Sequence, residues 1–323
     1  MGTVALSWRV DRPGVGTSTA SMITVQTMVA SSRGVAGMTT IAVGVDDSPH
    51  ADLAVRWAVQ EARLRRAELE LIHAFVMYFR RTETVSSHEL AEPVMDRIVE
   101  RNRDVLDTVK WTTTLVPVTG AAFSAALARA GHDADLLVVG SRGRGGFGAL
   151  LLGSTSYRTA GRAPCPVVVV RGDPEAASPA DVRRIVVGVD GSRPARRALR
   201  WALDEARMRD LPVTVVHGYP EPAFLMHAGL QSDANLQHAR TTARERAVAV
   251  IDGTLEAVEP PSGIQIDRMA ATGPAAGLLL EHAGADALLV VGTRGHGAVG
   301  QMLVGSVTHQ CLHHATGSVA VVP

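Results

Sequence analysis

Lysine is almost missing from this 323-residue chain: Lys110 stands alone among 32 basic residues, and all the others are arginine. A mechanism that needs a lysine has one ill-placed candidate, whether the lysine would grip phosphates from a G-x4-G-K-[S/T] loop or form a Schiff base. Cysteine is nearly as scarce. Cys165 and Cys311 lie far apart, with no CxxC and no Cys/His metal spacing, so they read as buried free thiols in a reducing cytosol rather than as a disulfide framework. No apolar run reaches the roughly 18 residues that span a bilayer. The first 30 residues also lack the charged start and unbroken apolar stretch of a secretory signal, so a soluble, cytoplasmic protein is expected. Neither sign of charge prevails, with 32 acidic against 32 basic residues, and the whole-chain charge gives no reason to expect nucleic acid or an anionic membrane as partner.

What is present is an ordinary globular balance, 46% hydrophobic and 20% charged, in a length that suits two domains. A repeat confirms the count. Ile41-Ala-Val-Gly-Val-Asp46-Asp-Ser48 returns as Ile185-Val-Val-Gly-Val-Asp190-Gly-Ser192, and Arg56-Trp57-Ala58 returns as Arg200-Trp201-Ala202, each 144 residues on. Glu61-Ala-Arg63 and His73 recur in the same register as Glu205-Ala-Arg207 and His217. Further along, Leu136-Leu-Val-Val-Gly140-Ser-Arg-Gly143 returns as Leu288-Leu-Val-Val-Gly292-Thr-Arg-Gly295, now 152 residues on. Internal duplication of this length means two like domains.

In each copy short β-branched runs alternate with helix-length segments, the pattern of βαβ units and a parallel sheet. Strands are expected at 40–46, 69–75, 113–118, 136–139 and 167–170, and again at 184–190, 213–219, 265–270, 288–291 and 319–322. The first helix should start with Ser48 as cap and Pro49 at its first position, with Leu53, Trp57 and Leu64 on one core-facing side. Trp57 and Trp201 read as core residues. The domains are read as 39–172 and 182–323, with a Pro/Gly-rich linker at 173–181. Residues 1–38 match nothing in the second copy and read as a disordered tail or, since Met38 directly precedes the first strand, as an over-extended start.

After the fourth strand the first copy carries Gly140-x2-Gly143-x9-Gly153-Ser154, and the second carries Gly292-x2-Gly295-x9-Gly305-Ser306. Glycines let the backbone approach a ligand closely, and the peptide N–H groups of such a loop can point at anionic oxygens. Gly153-Ser154 and Gly305-Ser306 fall where the next helix should begin, so unpaired N–H groups and a hydroxyl converge on the place a phosphate would occupy. Asp46 and Asp190 end the first strand of each copy. Ligands of open parallel sheets bind beyond the carboxyl ends of strands, where strand order reverses, so each Asp could face the same cleft as a glycine loop and meet an adenosine moiety or water-bridged Mg²⁺. It could equally just cap the following turn. Arg142, Arg144, Arg294 and His296 on the loops either reach phosphate or are solvated charge. His73 and His217 read as hydrogen-bonded structural histidines, and His313 and His314 as exposed helix residues.

On these residues the chain resembles the universal stress protein family, in its ATP-binding branch and tandem two-domain, actinobacterial form, from residue 39 to 323. The resemblance implies two open five-stranded parallel sheets of order 3-2-1-4-5, a Rossmann-like fold of the adenine nucleotide alpha hydrolase type. It implies ATP with Mg²⁺ as ligand. Asp46 and Asp190 would contact adenosine, the backbone at Ala74 and Gly218 would meet adenine, and Gly140, Gly143, Gly292 and Gly295 would line ribose and phosphates. Gly153, Ser154 and Thr155, with Gly305, Ser306 and Val307, would hold the phosphates. Such domains expose a fifth strand whose edge a tandem copy could protect, giving a built-in pseudo-dimer, and whole chains could pair further as a homodimer. The turn Pro164-Cys165-Pro166 that precedes the first fifth strand is replaced by Ala315-Thr316-Gly317-Ser318 in the second copy, so the resemblance does not by itself secure a strand there.

Three functions of different kind remain: a nucleotide-dependent regulatory module with little or no hydrolysis, a slow ATPase or phosphotransferase, and an interaction scaffold with inactive sites. No G-x-S-x-G pentad marks a serine hydrolase, and the first strand is not followed by a dinucleotide fingerprint. The resemblance favours the first function.

Overall fold

The structure is a computed structural model, and it describes residues 39–76, 87–119, 122–143, 152–174, 181–221, 233–295 and 303–323. The expected tail at 1–38, most of the linker, Arg144 and His296 lie outside these.

The first half runs β1 (Thr40–Gly44), α1 (Pro49–Arg65), β2 (Glu68–Val76), α2 (Ser87–Arg101), α3 (Arg103–Leu106), β3 (Trp111–Val118), α4 (Phe123–Ala130), β4 (Leu136–Gly140), α5 (Ser154–Ala160) and β5 (Val167–Val170). The second runs β6 (Arg184–Gly188), α6 (Arg193–Arg209), β7 (Val213–Tyr219), α7 (Asp233–Val258), β8 (Ile266–Thr272), α8 (Ala275–Ala283), β9 (Ala287–Gly292), α9 (Ser306–His314) and β10 (Val319–Val322). The two longest equivalent helices start alike. Ser48 and Ser192 sit in extended conformation and accept the N–H of Ala51 and Ala195, while Pro49 and Pro194 occupy the first turn, where a missing N–H costs nothing. Leu53 and Trp57 are buried as expected. Leu64 is not: it is 43% exposed, in the last turn of α1.

The strands form an α/β fold with order β3-β2-β1-β4-β5-β10-β9-β6-β7-β8, so each half has the order 3-2-1-4-5. All pairings are parallel except β5 with β10, which run antiparallel with Val319 opposite Val169 and Val321 opposite Val167. β4, β5 and β10 are buried along their whole length, which accounts for their unbroken apolar sequences. Each fifth strand would otherwise be a bare β-branched edge. The second one forms without the proline turn because Gly317 passes close beneath a carbonyl: a Cβ there would stand 2.8 Å from the oxygen of Ala287. Leu289 then donates to Ser318 as Leu137 donates to Pro166, both at 3.0 Å.

The halves also meet through a buried charge network. Within the helices Glu61 pairs with Arg65 at 2.6 Å and Glu205 with Arg209 at 3.2 Å; across the junction Arg65 pairs with Glu205 and Arg209 with Glu61. Both carboxylates are fully buried, and Arg209 lies 5.6 Å from the centre of the Trp57 ring. On the opposite side of the sheet Tyr157 of α5 meets His309 of α9 edge-on, and His313 lies against both, half-buried rather than exposed as its sequence position implied.

Removing one buried carboxylate strands an arginine, whose burial without a full set of partners is costly. Glu61→Ala should therefore lower unfolding free energy by about 3 kcal/mol, read as a fall in the urea midpoint at unchanged slope. An unaltered midpoint would mean the network contributes nothing.

Candidate functional site

Strand order reverses at β1, which lies between β2 and β4, and at β6, which lies between β7 and β9. Connections from the two neighbours leave in opposite directions there, so the carboxyl end of the central strand is left open. The first reversal holds a cavity of about 720 Å³. Asp46, Ala74, Gly140, Gly143, Gly153, Ser154 and Thr155, the seven positions singled out in the first copy, all line it.

β1 and β6 stop at Gly44 and Gly188, two residues short of the expected ends. Val45 and Val189 still donate to Ile72 and Val216, at 2.9 and 3.0 Å, but Asp47 and Gly191 then take positive φ, of 62° and 78°, and turn the chain toward the helix. This bend brings Asp46 and Asp190 over the strand ends. One oxygen of each carboxylate serves the local turn: Asp46 accepts the Ser48 hydroxyl at 2.6 Å, and Asp190 accepts the Ser192 N–H at 3.0 Å. The other oxygen faces the glycine loop. A Cβ on Gly143 would lie 2.2 Å from Asp46 Oδ2, and one on Gly295 would lie 2.4 Å from Asp190 Oδ2. Capping and cleft-facing, the two alternatives for these carboxylates, are both realised.

The loop returns to the strand end in the same way in both halves. Gly153 N–H donates to Ser141 and Gly305 N–H to Thr293, each at 2.7 Å, and the hydroxyls of Ser156 and Thr308 bind the carbonyls of Gly140 and Gly292, each at 2.6 Å. Gly153 and Gly305 are the extended caps of α5 and α9, so Ser154, Thr155, Ser306 and Val307 open those helices as expected. Gly140 lies against the His50 carbonyl, where a Cβ would approach to 2.6 Å, and Gly292 lies against Pro194. Gly218 passes the start of α8, where a Cβ would stand 2.9 Å from Ala275 Cα. His73 and His217 hold Nδ1 against the carbonyls of Val45 and Val189, at 2.9 and 2.7 Å, which is the structural role expected of them.

Sequence reasoning missed four further residues that line the first cavity: Phe75, Phe123, Ser124 and Leu127. Nothing in their spacing marks them, since α4 reaches the cavity only through sheet topology. Arg158 was also missed, although its position one helical turn after Ser154 would have given it away. Arg142 lines the cavity, and its charge acts on His50 and Arg171. Burial and the Arg142 charge push His50 below the usual imidazole value, with Arg171 adding to the effect and Asp46 opposing it. Arg171 is itself brought down to about 10, chiefly by burial and then by Arg142. Among the described residues no group of three or more His, Cys, Asp or Glu could hold a metal ion, and no helix is long and apolar enough to cross a membrane.

The family model described as "Universal stress protein family" matches residues 38–171 and again 181–323. A universal stress protein of Mycolicibacterium smegmatis is 31% identical over 290 residues, which cover 87% of this chain and 96% of that protein. Universal stress protein Rv2623 of Mycobacterium tuberculosis is 30% identical over 280 residues, 83% of this chain and 90% of its own. Among solved structures, a universal stress protein from Archaeoglobus fulgidus superposes with a TM-score of 0.61 at 17% identity, covering 88% of this chain and 97% of that one.

Because the folded pKa of His50 lies below its unfolded value of about 6.5, the unfolded chain binds more protons in acid, and stability falls as pH drops through that value. His313 acts in the same direction, through burial and then its histidine neighbours. Urea midpoints at pH 7.5 and about 5.5 should fall with acidification, and less steeply in His50→Asn. An equal pH slope in the variant would contradict the assigned environment.

Proposed function

We propose that this chain, which belongs to the universal stress protein family, binds ATP at the open strand ends of both halves and acts as a nucleotide-dependent regulatory module in the stress response, with little or no hydrolysis. The observation that carries this reading is the gathering of Asp46, the glycine loop and Ser154 around one cavity of about 720 Å³, within the usual range for small-molecule sites of roughly 300–1,000 Å³. Its lining combines the two kinds of group that a nucleotide's two ends need. Phe75, Phe123 and Leu127 offer apolar surface to a purine, with the Ala74 backbone beside them to pair its edge. Gly140, Gly143, Gly153, Ser154 and Thr155 offer close backbone approach, N–H groups and a hydroxyl to phosphates, and the Asp46 carboxylate is suited to ribose hydroxyls.

By the same geometry Asp190, Gly218, Gly292, Gly295, Gly305, Ser306 and Val307 form the second site. Mg²⁺ would travel with the phosphates, keeping most of its waters and touching the protein through Asp46 or Asp190 at most; such sparse protein ligation suits that ion. Hydrolysis is disfavoured because Lys110 is the sole lysine, so the usual phosphate-gripping ammonium is not at hand. The functional units would be 39–172 and 182–323 with 173–181 joining them, working in the cytoplasm; a homodimer of the whole chain belongs to the same proposal.

Protein purified, denatured and analysed by mass spectrometry should release adenine nucleotide, and stripped protein should take up two ATP per chain. Gly143→Ala and Gly295→Ala, which force a methyl onto Asp46 or Asp190, should each abolish one of the two, with turnover staying below about 1 s⁻¹ throughout. Absence of nucleotide together with no uptake on titration would sink the proposal, and faster turnover would make the protein an ATPase.

A further inference from the structure

The two halves repeat their glycines and aspartates but not their cations. Arg142 of the first loop has its counterpart in Arg294. Arg158, however, stands at the register position of Gln310, Arg171 at that of Pro323, and His50 at that of Pro194. Of these side chains Arg142 and Arg158 line the first cavity, and only the first of the two is kept in the second half. The second half gains Arg193, at the position of Pro49, but Pro49 does not line the first cavity, so that arginine is no replacement.

Arg158 is the one of the two cavity-lining arginines that the second half does not keep. It is exposed on α5 and lines the cavity with Arg142 and Ser154, and among the described residues no ion pair or hydrogen bond engages it. Helical side chains lean toward the helix start, so an arginine one turn after Ser154 extends its guanidinium back over the mouth of the cavity. The planar fork suits phosphate oxygens. Gln310 in the same place can donate a hydrogen bond but carries no charge.

We infer that Arg158 makes the first cavity selective for the more highly phosphorylated nucleotide, while the second site, with Gln310, discriminates less by phosphate number. The inference rests on the nucleotide-binding reading and deepens it: each added phosphate brings negative charge that only the first site meets with a second arginine.

The test measures ATP and AMP affinity by calorimetry at each site in turn, with Gly295→Val closing the second site and Gly143→Val the first. At the first site Arg158→Gln should weaken ATP about fivefold, the size of a partly solvent-exposed charge contact, and AMP less than about twofold. Arg158→Lys should keep most of the preference. At the second site Gln310→Arg should raise the ATP-over-AMP ratio by about fivefold. The same ratios read from two-site titrations of the chain with both glycines intact guard against misfolding of the valine variants. Equal loss of ATP and AMP affinity in Arg158→Gln, or no loss of either, would overturn the inference while leaving nucleotide binding intact. Failure of both nucleotides to bind the unaltered chain would remove the nucleotide reading and this inference with it.

Discussion

Gly143 lies against the carboxylate of Asp46, and a single methyl group on it would come within 2.2 Å of Oδ2. The loop after β4 can close over the end of β1 because nothing but hydrogen occupies that point. The reversal of strand order sets those two strand ends side by side, the positive φ at Asp47 swings the carboxylate above them, and the missing side chain lets the loop descend. Gly295 and Asp190 repeat the contact at 2.4 Å. Any side chain at either glycine must displace the carboxylate or lift the loop, and both changes open the place where loop N–H groups and carboxylate would act on one ligand.

The rest of the fold serves to hold two such places on one sheet. Pairing β5 with β10 removes the exposed edge of each half and sets α5 next to α9, where Tyr157 touches His309. The opposite face is joined by the exchange of Glu61 and Glu205 between Arg65 and Arg209. Buried charges are poor sources of net stability, but they are demanding about geometry, and a network closed only when both helices align favours one way of docking the halves. The repeat in the chain is therefore a repeat in the assembly, with like helices meeting like.

The strands and the first-copy cavity residues could be read from the amino acids because they depend on local pattern and on spacing along the chain. Runs such as Val167–Val170 announce buried strands, and Gly-x2-Gly-x9-Gly-Ser returning at an equivalent place announces a built loop. What escaped depends on which distant segments meet. Leu64 has the periodicity of a core residue and is exposed in the last turn of its helix; His313 has the position of a surface residue and is half-buried, with Tyr157 of the first half against it. Phe123 and Leu127 become a cavity wall only once α4 crosses between β3 and β4. The fifth strand of the second half carries no proline turn, and Gly317 supplies the close approach instead, a substitution visible only when the carbonyls above it are known.

The crystal structure of the chain grown with ATP tests the central claim most directly. The account requires density at both reversals, with ribose against Asp46 and Asp190 and phosphates at Ser154 and Ser306. Nucleotide seated elsewhere on the molecule, with both glycine loops closed on empty carboxylates, would contradict it.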